Sequence, residues 1–246
     1  MRIAFDLDGV LADLHGPFVR TVQQLFPQID QKDVGAADIG ASPPDDQPEY
    51  AVDGVPPLPT PTRPTPLTRR QSDAVWRALA ATENFWEGLS EIEDGAIARL
   101  AALADERGWE VLFITSRPRS AGRTVQRQSQ RWLAARGFPL PSVYVVHGSR
   151  GKVAEALAID VVVDDRPDNC LDVVLESRAA ALLVWRGSPS TVPASARRLG
   201  IAAVPTVARV LEALVETDRR DGEGSLLQRL RSLFGLRTRS QSTGSK

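Results

Sequence analysis

The sequence predicts an α/β fold, a parallel sheet with helices on both faces, and three observations carry that expectation. Short apolar runs recur along the chain, they are continuous rather than alternating in polarity, and helical patterns lie between them. Continuous runs suit strands buried on both faces, and strands alternating with helices imply crossovers between parallel neighbours.

Taken in order, the strand runs are RIAFDL (2–7), EVLFIT (110–115), VYVV (143–146), DVVVDD (160–165), AALLVW (180–185) and IAAV (201–204). Between the first two lies DGAIARLAALADERG, which puts Ile97, Leu100, Ala101, Leu103 and Ala104 on one stripe and stops at Gly108. After the second comes AGRTVQRQSQRWLAARG, which stops at Gly137. Glycine just past a helical pattern is a common terminator, because it enters the left-handed conformation that ends the helix.

Residues 14–90 break the rhythm. GPFVRTVQQLF and RRQSDAVWRALAAT read as helices, and residues 36–70 between them carry nine prolines. Proline fixes φ and removes a backbone donor, so this stretch reads as a loop or polyproline-II excursion rather than core. The expected division is a core of residues 1–13 and 91–215, an insertion of 14–90, and a tail of 216–246. In that tail DGEGS reads as a linker. Leu226, Leu227, Leu230, Leu233 and Phe234 then share one helical face beside Arg229, Arg231 and Arg237. Such a basic amphipathic helix suits its own domain, a partner or an anionic membrane surface.

A chain of 246 residues can bury a sizeable core, and 42% apolar with 25% charged content is ordinary for a globular protein. The formal net charge of -1 gives no global reason to expect nucleic acid, and the insertion supplies no basic groove for it. The single cysteine, Cys170, excludes an intrachain disulfide and reads as a buried thiol. No apolar stretch approaches the roughly 20 residues that span a bilayer. The N-terminus runs into a strand pattern rather than a signal peptide. A cytoplasmic protein is expected.

The chemistry concentrates at strand ends. Asp6 and Asp8 face the same way at the end of the first run, roughly 6–7 Å apart, where ligands of α/β sheets bind. Gly9 lets the chain turn sharply beside them. The second strand ends in Thr115 and Ser116, donors suited to a phosphate oxygen. Lys152 opens a helical pattern after the third strand, and its mobile ammonium can reach an anion. Another strand ends in Asp164 and Asp165. Each piece has an ordinary counterpart, such as a helix cap or a solvated lysine, but four in this order are hard to obtain by accident.

Together, Asp6–Asp8, Thr115, Lys152 and Asp164–Asp165 resemble the haloacid dehalogenase-like (HAD) hydrolase superfamily over roughly residues 1–185. The strings FDLDGVLAD, NFWEGLSEIEDGA, FITSRP and VVVDDRPDN are most similar to its 5'-nucleotidase and 5'(3')-deoxyribonucleotidase branch. The resemblance implies a Rossmann-like core, a helical cap made by residues 14–90, and a Mg²⁺-dependent phosphomonoesterase working through an aspartyl-phosphate. Asp6 would be nucleophile and metal ligand. Asp8 would be general acid and base, touching the metal through its backbone carbonyl. Thr115 and Lys152 would hold the phosphoryl group, and one of Asp164 and Asp165 would ligate the metal directly with the other supporting it, Asp165 being the preferred ligand. The substrate implied is a small phosphomonoester, with nucleoside monophosphates first, sugar phosphates or nucleic-acid ends as rivals, and a non-catalytic binding protein as the rival of another class.

Other residues stay open at this level. Arg117, in place of the proline usual in that branch, suits a second anionic group of the substrate or an aspartate of the acidic pair. Asp13 suits a helix cap or a substrate contact. Phe18, Trp76, Phe85 and Trp86 are candidates for a slot that stacks on a nucleobase, or for packing inside the cap. Arg166 reads as structural. His15 and His147 lack partners at metal-ligand spacing.

Overall fold

The computed structural model describes residues 1–35, 39, 67–219 and 226–234. Six strands form one parallel sheet: β1 (Arg2–Asp6), β4 (Glu110–Thr115), β5 (Ser142–Val145), β6 (Val161–Asp164), β7 (Ala180–Val184) and β8 (Ala202–Val204). Their spatial order is β5-β4-β1-β6-β7-β8, with Ile3 opposite both Val111 and Val161. The chain runs outward from β1 through β4 to β5, then returns to the other side of β1 and runs outward again. That reversal opens a crevice between the ends of β1 and β6, the place where doubly wound sheets bind ligands.

Strand pleating divides the core into two layers. Ile3, Phe5, Phe113, Val163 and Leu182 face one side, against α3 (Ala96–Arg107), α4 (Val125–Ala134) and α8 (Val207–Arg219). Ala4, Ile114, Val162 and Leu183 face the other, against α5 (Arg150–Ala156), α6 (Pro167–Glu176) and α7 (Ala194–Arg198). Burial on both faces is why the strand sequences read as unbroken apolar runs. Helix α3 ends where the sequence places its stop, at Gly108, with φ of 62°.

The insertion leaves and rejoins the core through a feature the sequence did not predict. Two-residue strands β2 (Ala12–Asp13) and β3 (Ser90–Glu91) pair antiparallel as a short ribbon. Beyond it α1 (His15–Leu25) packs on α2 (Arg69–Ala81), with Phe18 and Trp76 in edge contact at 5.5 Å between ring centroids. Thr68 caps α2 in a reciprocal capping box with Gln71. Asp13 accepts a bond from the Gly16 amide at 2.9 Å, at the start of α1. Nearly all of the proline-rich stretch, 36–38 and 40–66, lies outside the described residues, as do the DGEGS linker and the end of the tail. Helix α9 (Leu226–Leu233) leans on α8 and β7, with Leu230 buried and the Arg229 guanidinium donating to the Thr217 carbonyl at 3.0 Å. Among the described residues no helix is long and apolar enough to cross a membrane.

Candidate active site

The site is built where three neighbouring strands end. Asp6 terminates β1, Thr115 terminates β4 and Asp164 terminates β6. After Asp6 the chain bends back in a tight turn, with the Leu11 and Ala12 amides both donating to the Leu7 carbonyl. Gly9 makes the turn possible. Its φ is 81°, and a Cβ there would overlap the carboxylate of Asp165. Arg186, just beyond β7, holds the same turn by donating to the carbonyls of Gly9 and Val10 while pairing with Glu93 at 3.0 Å. Glu93 in turn accepts from the first amides of α8, Val207 and Ala208.

The structure brings Asp6, Asp8, Thr115, Asp164 and Asp165 together at this end of the sheet. Asp6 is nearly buried, and its carboxyl is pushed well above the usual carboxylate range. Burial is the main cause, the negative charge of Asp164 adds to it, Arg150 opposes it, and Asp165 and Asp8 add further. Asp164 is fully buried; burial raises its carboxyl too, against the pull of Arg150. Its oxygens accept from the Arg166 amide at 2.8 Å and from the Asn169 side chain at 2.9 and 3.1 Å. Asp165 is pushed up to about 7, by burial and then by Asp164. Three carboxyl groups share this corner, and burial is the main reason that all three are raised.

One of the expected site residues stands elsewhere, and another meets a different partner. Lys152 is exposed on α5, and the basic group at the site is Arg150, whose side chain is 3% exposed. Arg150 donates to Asp6 at 3.2 Å and lies 3.8 Å from Asp164. The reason is helical phase: two positions along α5 rotate a side chain by about 200°, so the two cations face opposite ways. Ala154, one turn beyond Arg150, is buried on the same stripe. That i, i+4 pairing is the signal in the sequence that singles out position 150.

Arg117, read as binding a second anionic group of the substrate or pairing with an aspartate of the acidic pair, is turned inward onto Asp8. Its Nε and Nη2 donate to the two oxygens of Asp8, each at 2.8 Å, and its Nη1 donates to Ser129 at 2.9 Å. Ser116 beside it is half-buried. Thr115 is 1% exposed, and its hydroxyl lies 3.5 Å from an Asp8 oxygen. Ser129 and Asn169 went unnoticed in the sequence because isolated polar residues within helices carry no local mark of their partners. Of the four aromatic candidates for base stacking, Phe18, Trp76 and Trp86 are buried and only Phe85 is partly exposed. His15 and His147 are exposed.

The donor set suits a hard divalent cation. Mg²⁺ keeps several waters and uses one or two carboxylates together with substrate phosphate. Among the described residues no group of three His, Cys, Asp or Glu forms a ligand set by itself. An ion here would therefore draw on backbone carbonyl, water and phosphate beside Asp6 and Asp165. The crowding of the Asp6, Asp164 and Asp165 carboxyl groups around one arginine is the observation that makes the residues fit one.

No family model and no curated protein matches the sequence. Solved structures do. A HAD-family hydrolase from Deinococcus radiodurans R1, with bound phosphate and sodium, aligns over 89% of this chain and 96% of its own at 21% identity, TM-score 0.54. A haloacid dehalogenase-like hydrolase from Streptococcus pneumoniae aligns over 87% of this chain and 97% of its own at 14% identity, TM-score 0.50. A phosphonoacetaldehyde hydrolase-like protein from Oleispira antarctica aligns over 92% of this chain and 94% of its own at 14% identity, TM-score 0.50. The fold of this chain is the Rossmann-like fold of HAD-type hydrolases.

Proposed function

We propose that this chain is a Mg²⁺-dependent phosphomonoester hydrolase whose nucleophile is Asp6. The observation that carries the reading is one arrangement. A buried carboxylate ends the central strand beside two further carboxylates and a buried arginine, and a second aspartate two residues on is held by its own arginine.

In this reading one oxygen of Asp6 attacks phosphorus, and the bond from phosphorus to the ester oxygen breaks. Asp8 gives its proton to the departing alkoxide, leaving an aspartyl-phosphate on Asp6. Water then attacks the phosphorus while Asp8 takes its proton, the acyl-phosphate bond breaks, and inorganic phosphate leaves. Arg150 orients Asp6 and faces the transferring group, the role expected of Lys152, and Thr115 supplies a hydroxyl at the same mouth. Mg²⁺, when bound, would supply positive charge to the corner of Asp6 and Asp165 and to the phosphoryl oxygens.

On substrate class, the motif strings shared with the 5'-nucleotidase branch favour nucleoside monophosphates. Burial of Phe18, Trp76 and Trp86 removes three of four stacking surfaces, and this favours sugar phosphates as the second reading. Phosphate release measured over nucleoside monophosphates, sugar phosphates and p-nitrophenyl phosphate, with Mg²⁺ and with chelator, tests both. Turnover of nucleoside monophosphates only with Mg²⁺ is the expected result. Turnover confined to sugar phosphates overturns the nucleotidase reading, and no turnover of any ester overturns the phosphatase reading.

A further inference from the structure

We infer that Arg117 is the positioning residue of the general acid and base: it holds Asp8 in the one orientation that delivers a proton to the leaving oxygen. The inference rests on the phosphatase reading above and adds a residue to it.

The geometry is a fork. Two guanidinium nitrogens donate to the two different oxygens of one carboxylate, both at 2.8 Å, which fixes the plane of the carboxylate as well as its distance. Each oxygen has two acceptor sites; Oδ2 also faces the Thr115 hydroxyl at 3.5 Å, so Oδ1 keeps the open site for the proton of a leaving group or a water. The third guanidinium nitrogen is spent on Ser129. The Arg117 side chain is 0% exposed, and the hydrogen bonds of all three of its guanidinium nitrogens go to Asp8 and Ser129.

Arg117 is itself held from behind. Its guanidinium carbon lies 4.8 Å from the centroid of Trp86 and 5.7 Å from that of Trp132. The Trp86 indole donates to the Pro118 carbonyl at 3.1 Å, and its amide donates to the buried Gln128 at 3.1 Å. The Trp132 indole donates to the Leu89 carbonyl at 2.7 Å. Trp86 and Leu89 belong to the limb that returns from the insertion to β3. Asp8 is therefore oriented by α4 and by this return limb, and not by β1 alone. A lysine cannot reproduce the fork, since a single ammonium presents no second, parallel donor.

The test is the dependence of kcat/KM on leaving group, across esters from alkyl phosphates to p-nitrophenyl phosphate. A good leaving group needs little protonation, so misplacing Asp8 costs it little. Arg117→Lys is expected to lower kcat/KM about 100-fold or more for alkyl phosphates and less than about 10-fold for p-nitrophenyl phosphate. In an Asp8→Asn background the same substitution is expected to add no further loss with p-nitrophenyl phosphate, because the two residues act as a unit. Where a thermal melt shows that Arg117→Lys does not fold, Ser129→Ala carries the test, with the same pattern at several-fold size. Equal losses across all leaving groups, or additive losses in the double variant, overturn the inference while leaving the phosphatase reading intact. A wild-type chain inert on every ester overturns both.

Discussion

The two sides of β1 handle their carboxylates differently. On the β6 side one arginine, Arg150, is shared between Asp6 at 3.2 Å and Asp164 at 3.8 Å, with Asp165 alongside. On the β4 side one arginine, Arg117, gives a full fork to Asp8 alone. The first side packs three buried carboxyl groups around one arginine, and Asp6 and Asp165 are raised by burial first and by their acidic neighbours second. The second is matched and geometrically fixed. The difference teaches that residues of one type, two positions apart, can be given separate environments by what folding places around them. In the proposed reading, a buried and crowded carboxyl suits a nucleophile that works with a cation and a phosphate, and a fixed geometry suits a proton carrier.

The comparison breaks most decisively at Asp6. Asp6→Asn keeps the shape and removes the nucleophile, so phosphate release is expected to fall by about 10,000-fold or more. Activity near wild type would mean that the β6 side does not hold the reacting group.

Arg150 and Lys152 sharpen it next. Arg150→Met strands two buried carboxylates without their shared cation, and a loss of about 3–5 kcal/mol in chemical denaturation is expected. Lys152→Ala, on the exposed side of α5, is expected to stay within about 0.5 kcal/mol. The reverse ranking would return the basic role to Lys152.

The smallest effect is in pH. The Asp165 carboxyl, near 7 in the folded chain, titrates at about 3.9 when unfolded. Between those values the folded chain holds a proton that the unfolded chain has released. The contribution of Asp165 to stability without metal is therefore full below about pH 4, falls as pH rises and levels off above about 7. A cation replaces that proton, so saturating Mg²⁺ is expected to raise Tm by more at about pH 8 than at about pH 5.5. An equal rise at both would detach Asp165 from the cation.

The sequence by itself determined the sheet and which candidate residues stand at its strand ends. EVLFIT reads as a strand and is β4 to the residue, because a run buried on both faces needs no partner to be recognised. Asp6 and Asp164 end strands in the sequence pattern and in the fold alike, since strand ends are local. Tertiary structure alone decided which charges meet. Arg117 lies 109 residues from Asp8 and Arg150 lies 144 from Asp6, so no local pattern could pair them. It also decided between Arg150 and Lys152, and it turned Phe18, Trp76 and Trp86 inward. The β2–β3 ribbon escaped for a related reason: strands of two residues have no periodicity and exist only where the two ends of the insertion meet. Hydrophobic patterning is written along the chain, whereas a salt bridge depends on what folding brings opposite each charge.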